Sequence, residues 1–101
     1  MRDETGAIVA GIWGWTRGGC CEIRTLWVHE RLRGHGYGQR LLRAAEQEAQ
    51  RRDCRQVVLD THSFQAPGFY QKHRYEIIGQ IEGYPLGHTK YYLRKRLAPV
   101  L

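Results

Sequence analysis

The sequence has no long run of apolar residues, and its first residues do not have the composition of a secretion signal. The apolar stretches are only a few residues long in a chain of 101 residues, which excludes a helix that spans a membrane. The N-terminal segment MRDETGAIVA is acidic where a signal peptide is basic, and no apolar segment follows it. The chain also lacks a linker rich in proline, glycine and serine. We therefore expect a single cytoplasmic domain over residues 1–101.

Cysteine is scarce, and the three thiols lack the spacing of a disulfide framework or a zinc site. Cys20 and Cys21 are adjacent, Cys54 stands alone, and no C-x-x-C motif or histidine pair accompanies them. We expect reduced, structural thiols and no metal site.

Acidic residues are in the minority. The chain has 16 Lys and Arg residues against 10 Asp and Glu residues, which gives a formal net charge of +6. Such a charge favours an anionic partner or substrate. A phosphorylated cofactor, a nucleic acid and a membrane surface all fit it.

The sequence does contain a regular succession of strand-like and helix-like segments. Short runs of β-branched and aromatic residues predict strands, and apolar residues spaced three or four positions apart predict an amphipathic helix. The expected order is a hairpin from residues 7–16 and 20–28, a helix over 37–52, a strand over 55–61, a short helix over 65–74, and a hairpin from 75–82 and 89–97. A strand, a helix and a strand in succession predict a parallel βαβ unit. We therefore expect an α+β fold, a mixed sheet built around a central βαβ unit.

The second strand has an irregular apolar pattern. Ile23, Leu26 and Val28 do not keep one parity along the strand. A β-bulge near Arg24 and Thr25 would place all three side chains on one face. Alternatively, the strand is covered on both sides, and the sequence leaves both arrangements open.

Three glycines stand at alternate positions between this strand and the predicted helix. They are Gly34, Gly36 and Gly38 in RLRGHGYGQRLL, residues 31–42. A glycine-rich turn at a helix N-terminus exposes backbone N–H groups and leaves room for a phosphate, whereas the structural alternative is a tight loop. Gln39 stands where a Rossmann fingerprint needs its third glycine, and no lysine follows as in a P-loop, so neither motif fits.

Two motifs together resemble those of the GNAT superfamily of acyl-CoA-dependent N-acetyltransferases. The first, Q/R-x-x-G-x-G/A, matches RGHGYG at residues 33–38, and the second lies in FQAPGFYQKHRYEIIG, residues 64–79. There an alanine, an aromatic pair and a lysine fall at the family's spacings, although Arg74 replaces the usual glycine and Ser63 the usual asparagine. The resemblance implies a GNAT-like α+β fold that lacks the usual N-terminal strand and helices.

The resemblance also implies a site for acetyl-CoA, the acyl donor, in a gap between the two central parallel strands. The backbone of the strand would bind the pantetheine arm. Amides of the loop that contains Gly34, Gly36 and Gly38, which we call the glycine loop, would bind the pyrophosphate. Tyr70 would protonate the departing thiolate as general acid. The residues implied in cofactor binding are Leu26, Trp27, Val28, Arg33, Gly34, His35, Gly36, Tyr37, Gly38, Gln39, Ser63, Phe69 and Lys72. The expected activity is N-acetyl transfer by direct attack of an acceptor amine on the thioester.

The general base is less well marked than the acid. Glu22 lies on the strand that leads to the implied acyl site, and it is the candidate we select. His62, after the second central strand, is the other candidate. Each could also be an ordinary solvated residue.

Two other functions fit parts of the pattern. Without its N-terminal elements, the chain could be a non-catalytic CoA-binding or protein-interaction module with a degenerate GNAT fold. A nucleic-acid binder would use aromatic side chains beside the basic tail LRKRL. This second function is less favoured, because the aromatic residues fall in strand-like runs that predict sheet faces and core. The aromatic residues concerned are Trp13, Trp15, Trp27, Tyr91 and Tyr92. We also expect an uncovered sheet edge, and a homodimer across it.

Overall fold

The structure of the chain is a computed structural model that describes residues 1–2, 4–63 and 67–98. In chain order the elements are β1 (Ala10–Arg17), β2 (Cys20–Val28), a 3-10 helix (Glu30–Leu32), α1 (Tyr37–Arg51), β3 (Gln56–His62), α2 (Pro67–Lys72), β4 (Glu76–Glu82) and β5 (Thr89–Arg96). The predicted order of strands and helices is confirmed, and the 3-10 helix is an addition to it. Neither α-helix of the described residues is both long enough and apolar enough to cross a membrane.

The strands form one mixed sheet. Its order is β1-β2-β3-β5-β4. β2 and β3 are parallel, while the other neighbouring pairs are antiparallel. Because α1 connects the two parallel strands, the predicted central βαβ unit and the α+β fold are confirmed.

The core lies between α1 and one face of this sheet. Leu42 and Ala49 of α1 are buried with Val57 and Leu59 of β3 and Leu93 of β5. Residues of β3 alternate between buried and partly exposed, as expected when one face of a strand packs on a helix. We call this side of the sheet the helix face and the opposite side the open face.

Two of the three thiols, those of Cys21 and Cys54, belong to this core. Cys21 and Cys54 are buried, Cys20 is partly buried, and all three are free cysteines. Burial, followed by the nearby Cys54 thiol, raises the pKa of Cys21 above its ordinary value. The expectation of structural thiols is confirmed for Cys21 and Cys54.

β2 contains a bulge. Trp13 of β1 pairs with Thr25 and Gly14 pairs with Ile23, which leaves Arg24 without a partner on β1. The three apolar residues of the irregular pattern are each less exposed than their neighbours along the strand. The bulge therefore brings them to the helix face, so the first of the two predicted arrangements is correct.

The two central strands separate where the bulge begins. Parallel pairing of β2 with β3 runs from Cys20 and Gln56 to Ile23 and Leu59 and then stops. Residues 24–28 of β2 and 60–62 of β3 continue without pairing to each other. We call the opening between these two segments the strand gap, and it lies at the carboxyl ends of both parallel strands.

Three tryptophans lie on the open face and are largely exposed. The exposed fractions are 61% for Trp13, 44% for Trp15 and 41% for Trp27. The rings of Trp13 and Trp15 meet edge to face at 5.4 Å. The tryptophans occupy a sheet face, while Tyr91 of the same predicted set packs against the core. Ahead of β1, the described residues form an isolated bridge between Arg2 and Ile8.

α2 ends in a Schellman motif. Its first residue is Pro67, where proline is tolerated, and residues 65–66 of the predicted helix lie outside the described residues. The Tyr75 N–H donates to the Tyr70 carbonyl at 3.0 Å, and the Arg74 N–H donates to the Gln71 carbonyl at 3.1 Å. Arg74, which replaces the family's glycine, therefore occupies the left-handed position of the motif with φ of 72°.

Replacing Arg74 with glycine is expected to stabilise the domain by about 0.5–1 kcal/mol, because a left-handed conformation costs a residue with a Cβ roughly 1–2 kcal/mol. Thermal unfolding should shift upward by about 4 °C. Gln71→Gly is the control, since the same replacement inside α2 should lower stability by about 1 kcal/mol. Equal destabilisation by both substitutions would refute the assignment of strain to Arg74.

Candidate active site

The glycine loop has the backbone of an open turn. Gly34 has φ of 84° and Gly36 has φ of 81°, in the left-handed region that favours glycine. A Cβ at either position would have no atom within 4 Å, so the space beside both residues is empty of protein. Gly34, for which the sequence suggests no separate need, is thus required by the turn itself.

The N-terminus of α1 presents unpaired backbone donors toward this space. Gly36 is the N-cap and makes no side-chain hydrogen bond, and its carbonyl accepts from the Arg40 N–H at 3.1 Å. Within the described residues, the N–H groups of Tyr37, Gly38 and Gln39 have no acceptor. The first turn of α1 contains no acidic residue. The helix dipole and the three N–H groups therefore favour an anion here.

Arg33 fixes the position of the loop. Its Nε donates to the Val28 carbonyl at the end of β2, at 3.3 Å. The His29 N–H donates to the Val9 carbonyl at 2.6 Å, which fastens the same strand end to the residues before β1. Arg33 thus has the loop-placing role that the resemblance implies, and the carbonyl of Val28 is already engaged.

Gly38 also packs against Phe69, in addition to presenting its N–H group at the start of α1. A Cβ at Gly38 would lie 3.3 Å from Cζ of Phe69. The Phe69 ring also meets the rings of Tyr70 at 5.2 Å and of His73 at 4.8 Å. The missing side chain of Gly38 thus lets α2 lie close to the start of α1.

Tyr70 is partly buried against the core, with its ring 5.8 Å from that of Tyr75. Burial raises the pKa of the Tyr70 hydroxyl above its ordinary value, and the negative charge of Asp60 raises it further. The hydroxyl makes no hydrogen bond to the described part of the chain. It is therefore a protonated donor that is available to a ligand.

The two predicted bases lie in different surroundings. Glu22 pairs in register with Val58, within the closed part of the parallel pair, and its carboxylate lies 3.8 Å from the Arg24 guanidinium. His62 is at the end of β3, and its ring stacks on that of Tyr84 at 5.9 Å. The strand gap therefore lies nearer His62 than Glu22.

Asp60 is the acidic residue that the sequence analysis does not select. It is the first residue of β3 beyond the last pair with β2, and it is only partly exposed. A charged residue directly after the apolar run Val57-Val58-Leu59 is a signal that could have drawn attention to it.

The remaining predicted residues are placed as follows. The Ser63 Oγ accepts from the Thr89 N–H at 3.0 Å and lies 3.3 Å from Nδ1 of His88, so it ties the end of β3 to the start of β5. His35 is exposed in the glycine loop, and Lys72 is the exposed last residue of α2. The described residues hold no group of three side chains suited to bind a metal ion.

Comparisons with known proteins agree with this geometry. The model of the acetyltransferase (GNAT) family matches residues 1–75. Over 95 residues the chain is 37% identical to blasticidin-S acetyltransferase of Streptomyces morookaense, and the match covers 93% of this chain and 70% of that protein.

Solved structures of acetyltransferases superpose on this chain. A crystal structure of an acetyltransferase from Bacillus cereus superposes with a TM-score of 0.93 at 41% identity, covering 96% of this chain and 69% of the other. A structure from Bacillus anthracis, described as a streptothricin acetyltransferase in complex with acetyl coenzyme A, shares the fold with a TM-score of 0.81 at 21% identity. That match covers 91% of this chain and 57% of the other.

Proposed function

The chain is an acyltransferase of the acetyltransferase (GNAT) family, and from this premise we propose that it transfers the acetyl group of acetyl-CoA to an amine of a small molecule. The observation that carries the proposal is that two sets of hydrogen-bond donors have no acceptor within the described residues. These donors are the amides at the start of α1 and the hydroxyl of Tyr70. The small-molecule acceptor is supported by the 37% identity to a protein named for blasticidin S.

The residues of the glycine loop fit a bound pyrophosphate. Empty space lies beside Gly34 and Gly36, and the N–H groups of residues 37–39 have no acceptor in the described chain. These amides would hold the pyrophosphate. Beyond Ile23, the edge of β2 that faces β3 has no strand partner, so the backbone of Leu26 and Trp27 would bind the pantetheine arm. Bound acetyl-CoA would supply an acetyl group activated as a thioester.

Tyr70 holds the proton that a departing thiolate requires. Its raised pKa keeps Oη protonated throughout the neutral range, and partial burial limits competition from water for that proton. A positioned acid of this kind contributes roughly 10²- to 10⁴-fold to a rate. The protein needs no covalent intermediate, because positioning of the amine supplies much of the remaining advantage.

A panel of primary amines that includes blasticidin S tests the proposal. Purified protein and acetyl-CoA should yield at least one acetylated amine, detected by mass spectrometry, and a stoichiometric amount of free CoA. Binding of acetyl-CoA without transfer to any amine would favour the non-catalytic CoA-binding module. No binding at millimolar acetyl-CoA would refute both functions.

The homodimer that the sequence predicts is best supported at the β4 edge. β4 is the last strand of the sheet, and it exposes Ile77, Ile78 and Ile81. The opposite edge, at β1, is partly occupied, because the amino group of Met1 donates to the Ala10 carbonyl at 3.0 Å. An exposed apolar edge is a liability that a second copy can remove, and we propose that two β4 strands pair.

Light scattering after gel filtration should therefore give the mass of two chains at high concentration. Ile78→Lys should give the mass of one chain, because the introduced charge would lie at the paired edge. Leu86→Lys, on the exposed connection between β4 and β5, is the matched control and should remain dimeric. A wild-type protein that is monomeric at every concentration would contradict the homodimer.

A further inference from the structure

Asp60 lies at the mouth of the strand gap on the open face. The last residues that pair β2 with β3 are Ile23 and Leu59, and Asp60 follows directly. Leu59 and Thr61 are 5% and 4% exposed on the helix face. Since side chains alternate along a strand, Asp60 is directed to the open face, where its register partner on β5 is Tyr92.

The charge of Asp60 reaches Tyr70 although the two side chains belong to opposite faces of the sheet. Tyr70 packs against the core on the helix face, and the negative charge of Asp60 acts on its hydroxyl. The strands are unpaired at this level. The Asp60 carboxylate therefore borders the strand gap from the open face, and from there its charge acts on the Tyr70 hydroxyl.

The Asp60 carboxylate is partly buried, and among the cations of the described residues its charge acts on that of Lys90. Within the described residues it forms no hydrogen bond and no ion pair, whereas Glu46 binds Lys95 at 2.8 Å and Glu76 binds Arg94 at 3.0 Å. The charge of Asp60 also reaches Lys90, but the ammonium of Lys90 is placed over aromatic rings. A carboxylate at a cleft that forms no hydrogen bond or ion pair with the described residues is available to a cationic ligand.

Aromatic side chains border the same space. The Lys90 ammonium lies 4.8 Å from the ring centre of Tyr84 and 5.3 Å from that of Tyr92, so this face already holds a cation over its rings. Across the gap, Trp27 is 41% exposed on β2. Aromatic faces attract alkylammonium groups. The carboxylate and the aromatic rings would thus both attract an alkylammonium group.

We propose that Asp60 binds the ammonium group of the acceptor, so that the acceptors are small amines that are positively charged at neutral pH. This inference rests on the proposed function and names the substrate class of the same site. Asp60 touches the acceptor and sets its specificity. One proton of the ammonium passes to water, and the neutral amine then attacks the thioester carbonyl carbon. The C–S bond breaks, the thiolate takes the proton of Tyr70, and the second nitrogen proton restores the Tyr70 hydroxyl.

Benzylamine and aniline test the charge requirement, because both carry a phenyl ring and only benzylamine is an ammonium at neutral pH. In calorimetric titrations of the CoA-bound protein, benzylamine should bind at least tenfold more tightly than aniline. Asp60→Asn should weaken benzylamine binding roughly 10- to 100-fold, as expected for loss of a charge-assisted hydrogen bond, and should change aniline binding less than threefold. With the best acceptor of the amine panel, the same variant should raise KM more than it lowers kcat.

Asp53→Asn is the matched control. Asp53 is an exposed carboxylate with φ of 61° just past the end of α1, and asparagine tolerates that conformation. Its substitution should leave binding of both amines unchanged. Asp60→Asn should fold normally, because no intramolecular hydrogen bond of the described chain is lost.

Three results would overturn the inference. The first is a wild type that shows no preference for benzylamine, and the second is an Asp60→Asn variant that binds benzylamine within threefold of the wild type. The third is equal loss of both amines, which would indicate a structural role. Failure of the proposed function would give a different result from these three. Acetyl-CoA would then bind without acetylation of any amine in the panel, or it would not bind at all.

Discussion

Replacing Gly36 with valine is expected to weaken acetyl-CoA binding by at least about 100-fold, since two or more charge-assisted hydrogen bonds of about 1.5–3 kcal/mol each would be lost. The Cβ itself would have space, because no atom lies within 4 Å of its position. The valine methyl groups would instead occupy the space that a pyrophosphate needs beside the N–H groups of residues 37–39. Calorimetric titration measures the loss directly.

The matched control for this substitution is Gly87→Val. Gly87 lies in the connection between β4 and β5, with φ of 83° against 81° at Gly36, and its Cβ position is equally open. Both variants should lose stability by a similar amount, about 1–2 kcal/mol, from a left-handed residue with a Cβ. Only Gly36→Val should lose the cofactor. Equal affinity of the two variants would mean that the glycine loop is only a turn.

Replacing Tyr70 with phenylalanine is expected to lower kcat for acetyl transfer by about 100- to 1000-fold, because the leaving thiolate would lose its positioned acid. Acetyl-CoA affinity should remain within about twofold, since the ring and its packing against Phe69 remain. The raised pKa of Tyr70 adds a second expectation, because the acid stays protonated until the pH passes its ordinary value of about 10. The rate should therefore not fall on the alkaline side below that pH.

Tyr75→Phe is the control for Tyr70→Phe. The Tyr75 hydroxyl donates to the Glu46 carboxylate at 2.7 Å, and its side chain is buried beside that of Tyr70. Loss of the Tyr75 hydroxyl should lower the free energy of unfolding by about 1 kcal/mol and leave kcat within threefold of the wild-type value. A Tyr70→Phe variant that is as active as Tyr75→Phe would exclude Tyr70 as the acid.

Much of the fold could be predicted because its signals are local. The apolar periodicity of residues 37–52 predicts α1, and the succession of strand, helix and strand predicts the parallel pair. The bulge at Arg24 was one of two arrangements that the irregular pattern of β2 allows. Only the register against β1 decides between them, because parity within one strand does not say what covers its second face.

The glycine loop was also predictable from the sequence, but the separate roles of its glycines were not. Positive φ at Gly34 and Gly36 follows from local turn chemistry. The role of Gly38 depends on Phe69, which is distant in sequence but whose Cζ would lie 3.3 Å from a Cβ at Gly38. The bond from Arg33 to the Val28 carbonyl likewise requires a loop geometry that no spacing rule contains.

The open face shows where sequence reasoning fails. The tryptophans of β1 and β2 have the composition of core strands, yet the described residues leave them exposed. Whether a side chain is buried depends on what packs against that face of the sheet, and β-propensity carries no information about such packing. Asp60 was missed for a related reason, since its importance comes from the point at which β2 and β3 cease to pair.

The measurement that tests the account most directly is mass spectrometry of a reaction between the purified chain, acetyl-CoA and the amine panel, with Tyr70→Phe assayed in parallel. We predict an acetylated amine, one free CoA thiol for each product molecule, and a rate at least about 100-fold lower in the variant. Release of CoA without acetylation of any amine, or equal rates for the two proteins, would contradict the account.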